Sequence, residues 1–338
     1  MINPKTIRQV FVLLLILTVG TLIFRQMSAY FSGVLGAITI YVLFKKSMVK
    51  LVRLGWNPNL AAGLIMLVSF LIIIIPVTAA IFMLASKVGD ALDNSEEVIN
   101  TIQSQLASMQ ESVGIDLASE IDPSSISGWL SDKIQSFAGS TFDTFIAVTI
   151  MYFMLFYMFT NRRQLRESLF EYIPISKENL KVLGNESAAM VKSNAIGIPL
   201  VAVAQGLVAL VGFLIFKVEN PWFWSVMVAI GSMIPFVGQM LGTVPVFILS
   251  LSQGNAFQGW AILLYGMLVV GLTDNLIRLY ILRKLDDVHP LITLIGVIIG
   301  IPLFGFIGLI FGPLLISLFL IVVKIYKKEY GQGSNNVL

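Results

Sequence analysis

Long apolar runs separated by short charged clusters set the pattern of this chain. A bilayer core about 30 Å thick takes about 20 apolar helical residues to cross, and five runs each suit one crossing. The first extends from Val10 to Phe24 behind Lys5 and Arg8. A signal peptide has the same charge-then-apolar order, but no small-x-small cleavage site follows, so a retained helix is expected. The second runs from Ala29 to Phe44 and stops at Lys45, Lys46, Lys50 and Arg53. The third, Leu60 to Ala85, contains Pro76, which should kink it. The fourth, Phe142 to Thr160, ends at Arg162 and Arg163, and the fifth, Ala195 to Phe216, carries Pro199.

The pattern then changes. Trp222 to Leu251 is apolar but broken at Pro235 and Gly238, with a further Pro245. Its first half, to Ile234, makes about 20 Å of helix, too short to cross. Leu291 to Val323 is interrupted by Gly300, Pro302 and Gly305, and Ala256 to Ile277 between the two reads as one ordinary span. Two architectures remain open, eight plain crossings or two re-entrant hairpins. Lys87 to Asp143 holds ten acidic residues and two basic ones, whereas the N-terminus, Lys45–Arg53 and Arg162–Lys192 are basic. By the positive-inside rule the basic segments are cytoplasmic and the acidic one external. Plain crossings would put 15 basic residues inside and 7 outside; hairpins would bring Arg278, Arg283 and Lys284 inside, for 18 against 4. The hairpin architecture is therefore the expected one, with both termini cytoplasmic.

Two stretches between the spans are amphipathic. Val98, Ile102, Leu106, Met109 and Val113 make a helical stripe, and Ile126, Leu130, Ile134 and Phe137 make a second after Asp122–Pro123. They suit a helical hairpin lying on the membrane or on a neighbouring subunit. Leu165, Leu169 and Tyr172, then Leu180, Leu183 and Met190, repeat the theme beside Arg162, Arg163 and Arg166, which suits an inner lipid surface.

Composition narrows the function class. Apolar residues make up 57% of the chain and charged ones 12%, with a mean hydropathy of +0.88; soluble proteins carry about 25% charged residues. Such a chain could not cover a water-facing surface, which excludes a soluble enzyme, a disordered regulator and a nucleic-acid-binding protein. With no cysteine and a single histidine, His289, disulfides, thiolate catalysis and the usual zinc sites have no ligands. Neither a phosphate-binding GxxxxGK loop nor a hydrolase motif occurs, so no enzyme and no cofactor is expected beyond an H⁺ or Na⁺ coupling ion. The expected product is an all-α polytopic protein of the inner cell membrane with about eight hydrophobic segments. It divides into a three-helix scaffold (1–86), an extracytoplasmic amphipathic segment (87–141), a fourth span with a cytoplasmic segment (142–193), a Gly/Pro-rich core (194–325) and a tail (326–338).

Residues 194–313 hold 15 of the 27 glycines and 7 of the 12 prolines. Broken backbone is tolerated at membrane depth only inside protein or beside a water-filled cavity, and discontinuous helices bind substrates and ions in secondary transporters. The pairs Gly296/Gly300 and Gly308/Gly312 have the spacing of close helix packing. Packing does not account for prolines at 235, 245, 302 and 313. Asp274, Asn275 and Arg278 lie near the end of a span, and an intramembrane carboxylate either pairs with a cation (here Arg278, four residues on) or titrates and binds an ion. Asn194, Gln205, Ser232, Gln239, Thr243 and Thr293 are available hydrogen-bonding partners, and His289 before Pro290 suits a helix cap. The expected pathway joins Pro235, Gly238, Gln239, Gly242, Pro245, Asp274, Asn275, Arg278, Gly305, Gly308, Gly312 and Pro313. The broken segments would move as a unit against the N-terminal helices, which would pack between subunits through Gly33 and Gly36.

The stretch "GSMIPFVGQMLGTVPVFI" followed by "TDNLIRLYILRKLDDVHPLITLIGVIIGIPLFGFIGLIFGPLL" resembles the signature of the autoinducer-2 exporter (AI-2E) family. The matching pieces are Pro235/Gly238/Gly242/Pro245, Asp274/Asn275, His289/Pro290/Leu291 and Phe304/Gly305/Gly308/Gly312/Pro313. Leu279 departs from the pattern, since many members have proline just after the D-N-x-x-R run. The resemblance implies a secondary transporter that exports a small polar metabolite such as the quorum-sensing signal autoinducer-2, or that exchanges Na⁺ or Li⁺ for H⁺. It also implies a homo-oligomer, with a pentamer as one candidate form.

Overall fold

A computed structural model describes residues 4–27, 30–93, 141–172, 176–234, 238–273, 276–277 and 290–330. Helices account for nearly all of them: α1 (Pro4–Met27), α2 (Phe31–Arg53), α3 (Pro58–Asp93), α4 (Thr141–Thr160), α5 (Arg162–Tyr172), α6 (Lys177–Ile215), α7 (Pro221–Gly231), α8 (Met240–Ser252), α9 (Ala256–Tyr265), α10 (Pro290–Phe304) and α11 (Gly308–Tyr330). A π turn, Gly266–Val270, extends α9, and a 3₁₀ turn, Gly305–Ile307, joins α10 to α11. Five stretches are long and apolar enough to cross a membrane, and the pair α4–α5, bent by 92°, supplies a sixth. The molecule is an all-α polytopic membrane protein. The expected external hairpin falls on 94–140, outside the described residues, although α3 runs on as helix past Ala85 to Asp93.

The second expected span is shorter than its helix. Phe31 to Phe44 gives about 21 Å of apolar helix, and α2 then carries its basic turns on to Arg53. This helix is the centre of the N-terminal half rather than a surface scaffold. Ala37, Ile40 and Met48 are buried against Ala61, Ala62 and Ile65 of α3 and Leu155, Met158 and Phe159 of α4. Gly33 and Gly36 face α4: a Cβ on Gly33 would strike the Ala147 carbonyl, and one on Gly36 would come 2.7 Å from the Met151 sulfur. The close approach expected between subunits is therefore used within the chain. α1 is different, being exposed from Val10 to Ile23 in keeping with lipid contact.

The long α6 is the second organising element. It joins the expected amphipathic stretch around Leu180 and Leu183 to the fifth span in one 39-residue helix, about 58 Å long. Ser176 opens it by accepting a hydrogen bond from the Asn179 N–H, the side-chain capping that helix starts favour. Its early turns pack Met190 and Val191 on Phe311 and Leu314 of α11, with Leu35, Ile38 and Val42 of α2 against the same cluster. Its late turns pack Ala209 and Phe213 on Val228 of α7, Val246 of α8 and Ile262 of α9.

Replacing Gly33 or Gly36 with valine should cost about 1–3 kcal/mol through overpacking of α2 on α4. Gly63→Val is the control, because no atom lies within 4 Å of the Cβ position there. Thermal unfolding of the purified variants in detergent checks this. An unchanged transition in the α2 variants, with loss of oligomer instead, would return both glycines to an intersubunit role.

Candidate functional site

Both broken segments reverse direction. In the first, Gly231 at the end of α7 meets Gly238 so closely that a Cβ on either would strike the other's carbonyl. One turn further from the tip, a Cβ on Gly242 would come 2.8 Å from the Trp224 carbonyl oxygen. The pairing 231 with 238 and 224 with 242 is antiparallel, so α7 and α8 form a helical hairpin. Their 11 and 13 residues give about 16 and 20 Å, less than a crossing. Residues 235–237, and Pro235 with them, lie outside the described set.

In the second segment Gly296 abuts Gly312 and Pro313, and Gly300 abuts Gly308 and Gly312. α10 and α11 are antiparallel too, closed by Gly305 at φ +62°. Its Cβ position is open, with no atom within 4 Å. Glycine is needed there for its left-handed backbone and not for space. The two GxxxG pairs thus form the packing seam of this hairpin, as their spacing suggested. Asn194 of α6 donates to the Ile310 carbonyl at 3.1 Å, in the turn that Pro313 disturbs by removing a backbone donor.

The span between the hairpins is not ordinary. After Tyr265 it widens into the π turn, where the Gly271 N–H donates to the Gly266 carbonyl five residues back. Such a turn stacks residues five apart, and Gly266 and Gly271 both receive α8. The Thr243 methyl lies on Gly266 and the Gln239 side-chain amide on Gly271. Thr243 also donates through Oγ1 to the Gln239 carbonyl at 3.2 Å. On the opposite side, Tyr265 lies on Gly212 and donates to the Val208 carbonyl at 2.9 Å. Gln258 closes the end of α6 by donating to the Phe216 carbonyl at 2.7 Å.

The hairpin tip carries an electrostatic anomaly. Ser232 Oγ and Gln239 Oε1 are buried and have no hydrogen-bond partner among the described residues. A buried polar group left unpaired costs about 1–3 kcal/mol, and these two flank the same tip. Gln205 of α6, Ser225 of α7 and Thr243 of α8 are also buried, and Ser225 donates locally to the Trp222 carbonyl. The tip thus brings together a half-helix end, two oxygens unpartnered among the described residues and a π turn that leads in sequence to Asp274. Asp274, Asn275, Arg278 and His289 lie outside the described residues.

The expected site residues fall into two groups. Gly238, Gln239, Gly242 and Pro245 belong to the first hairpin, and Gly305, Gly308, Gly312 and Pro313 to the second. The hairpins dock on α6 around Gly206 and Asn194 respectively, 12 residues or about 18 Å apart along its axis. Because the second hairpin shares a core with α2, it is not separable from the N-terminal helices as a free unit. Sequence reasoning missed Gly231 and the π turn. The available signal was the five-residue spacing of Gly266 and Gly271, which fits no α-helical face.

Comparison with known proteins places the chain among proteins named for transport. A relative from Aquifex aeolicus named "Putative transport protein" is 24% identical over 208 residues, 61% of this chain and 58% of its own. One from Mycobacterium tuberculosis is 25% identical over 203 residues, 60% of this chain and 52% of its own, and one from Helicobacter pylori 23% over 226, 62% of each. The matches therefore span between about half and three fifths of these relatives. The sequence model described as "AI-2E family transporter" matches residues 11–328, nearly the whole chain, so the protein belongs to the AI-2E transporter family.

Proposed function

We propose that the protein is a secondary transporter whose polar guest binds at the tip of the α7–α8 hairpin, against the π turn. The observation that carries this is the pair of orphaned oxygens, Ser232 Oγ and Gln239 Oε1, at a break in the helical backbone. A site that leaves acceptors unpaired when empty gains affinity when a guest supplies hydroxyl donors or positive charge. A small polar metabolite such as autoinducer-2 supplies donors, and export of such a molecule is the preferred reading. The second reading, Na⁺ or Li⁺ exchange for H⁺, draws support from the acceptor character of Gln239 Oε1 and from Asp274 three residues beyond Gly271. Proteoliposomes carrying an internal pH dye separate them. Proton movement on adding Na⁺ or Li⁺, lost in Asp274→Asn, supports exchange; no movement with either ion leaves the exporter reading ahead.

The same oxygens set a stability prediction. Gln239→Met and Ser232→Ala remove unpaired groups from a buried tip, so each should hold or raise thermal stability by up to about 1–3 kcal/mol. Each should also lower transport, since function and the stability optimum part company at such sites. Unfolding scans and flux assays on the same preparations check both arms. Normal flux in both variants would remove the tip from the pathway.

Topology gives a further expectation. A hairpin returns the chain to its starting side, so Arg283 and Lys284 should share the face of Lys45 and Lys46, which we assign to the cytoplasm. Single cysteines at 283 or 284 in this cysteine-free chain should resist an impermeant maleimide in intact cells. Labelling from outside would mean that the first hairpin crosses the membrane.

A further inference from the structure

The basic end of α2 stands out once the hairpins are assigned. Lys45, Lys46, Val49, Lys50, Arg53 and Leu54 line a shallow cavity of about 550 Å³. The spacing explains why one helix face makes it: 45, 49 and 53 form one row four apart, and 46, 50 and 54 form the next. Four cations share this face, and none forms an ion pair with an acidic side chain among the described residues. Lys45 has only the Tyr41 ring, 5.9 Å from its Nζ to the ring centroid. Like charges four apart on a helix repel, as Lys46 and Lys50 do here, so an anion bridging them would stabilise the face.

The surroundings say what carries that anion. The cavity sits where the apolar part of α2 ends at Phe44, at the level of a membrane boundary. Its lining ends at Leu54, 67% exposed, and the chain runs on through Trp56, 46% exposed, to Leu60, 67% exposed. Tryptophan at this level is the usual interfacial anchor. Leu54 and Leu60 stand free for acyl chains, which a water-soluble phosphate does not possess. Next to the face, Tyr41 stacks on Phe159 with centroids 5.3 Å apart, where α4 turns by 92° into the amphipathic α5. We propose that this face is a binding site for the phosphate headgroup of an anionic phospholipid, held by Lys45, Lys46, Lys50 and Arg53 with its acyl chains along Leu54 and Leu60. Phosphate takes such charge-assisted hydrogen bonds readily, most of all from arginine, and basic pockets at helix ends are known sites for acidic lipids.

Native mass spectrometry of the detergent-solubilised full chain, titrated with phosphatidylglycerol, cardiolipin or phosphatidylcholine, tests the assignment. The expected result is retention of the two anionic lipids and not of phosphatidylcholine. Triple replacement K46Q/K50Q/R53Q should weaken anionic-lipid binding at least tenfold, with an unchanged far-UV helical spectrum. The paired replacement R162Q/R163Q, on the neighbouring turn, should change it less than threefold. Equal loss in both variants would make the binding a diffuse surface effect and overturn the site, as would unchanged binding in the triple variant. Glycerol phosphate at millimolar concentration should neither bind nor compete; competition would show that the face takes free phosphates and overturn the lipid assignment.

Discussion

A backbone that leaves its helix inside a membrane must find partners for its own N–H and C=O groups, because hydrocarbon offers none. That constraint orders the C-terminal half of this molecule. Prolines 235, 245, 302 and 313 remove backbone donors, and the broken segments fold back on themselves so that glycine-lined backbone faces backbone. The approach is close enough that only glycine fits at 231, 238, 296, 300, 308 and 312. Where the seam is not enough, a side chain from α6 helps: Asn194 reaches the Ile310 carbonyl. The same economy appears at Gln258, which serves the end of α6 at Phe216.

α6 connects these local solutions to the rest of the protein. One helix meets the N-terminal core through Met190 and Val191 and the first hairpin through Ala209 and Phe213. Small residues on it mark the docking points, since Gly206 receives Ser225 and Ala229, and Gly212 receives Tyr265. The phosphate-seeking face of α2 lies in the N-terminal half, which α6 couples to the hairpins through Leu35, Ile38 and Val42. A lipid held at Lys46 and Arg53 would therefore brace the helix on which the second hairpin rests.

Much of this was legible in the sequence, for reasons that differ by feature. The apolar runs and the basic clusters at 45–53 and 162–163 marked the helices, because crossing a bilayer demands length and apolarity, which composition displays openly. The reversal at the two breaks was legible as a preference only, from charge, since hairpin and crossing share the same local sequence. The direction in which Gly33 and Gly36 pack was not legible, because a small residue shows that something comes close without naming what. The π turn was hidden for a related reason. Its residues, GMLVV, hold no proline or charge, so the five-residue spacing of Gly266 and Gly271 was the one hint, and the partner helix α8 shows why an extra residue is needed between them.

The two hairpins solve one problem in unequal ways. The second is sealed by four glycines in mutual contact and shares its core with α2, so its position is fixed by large side chains, Phe311 and Leu314. The first is sealed at Gly231, Gly238 and Gly242, and two oxygens at its tip have no partner among the described residues. An apolar residue at 232 or 239 would fill the same space without that penalty, and the penalty recurs in each molecule that folds. Unpaired acceptors at a buried tip cost free energy until a partner meets them. On the proposed reading, a guest meets at the first hairpin the kind of group that a packed helix meets at the second.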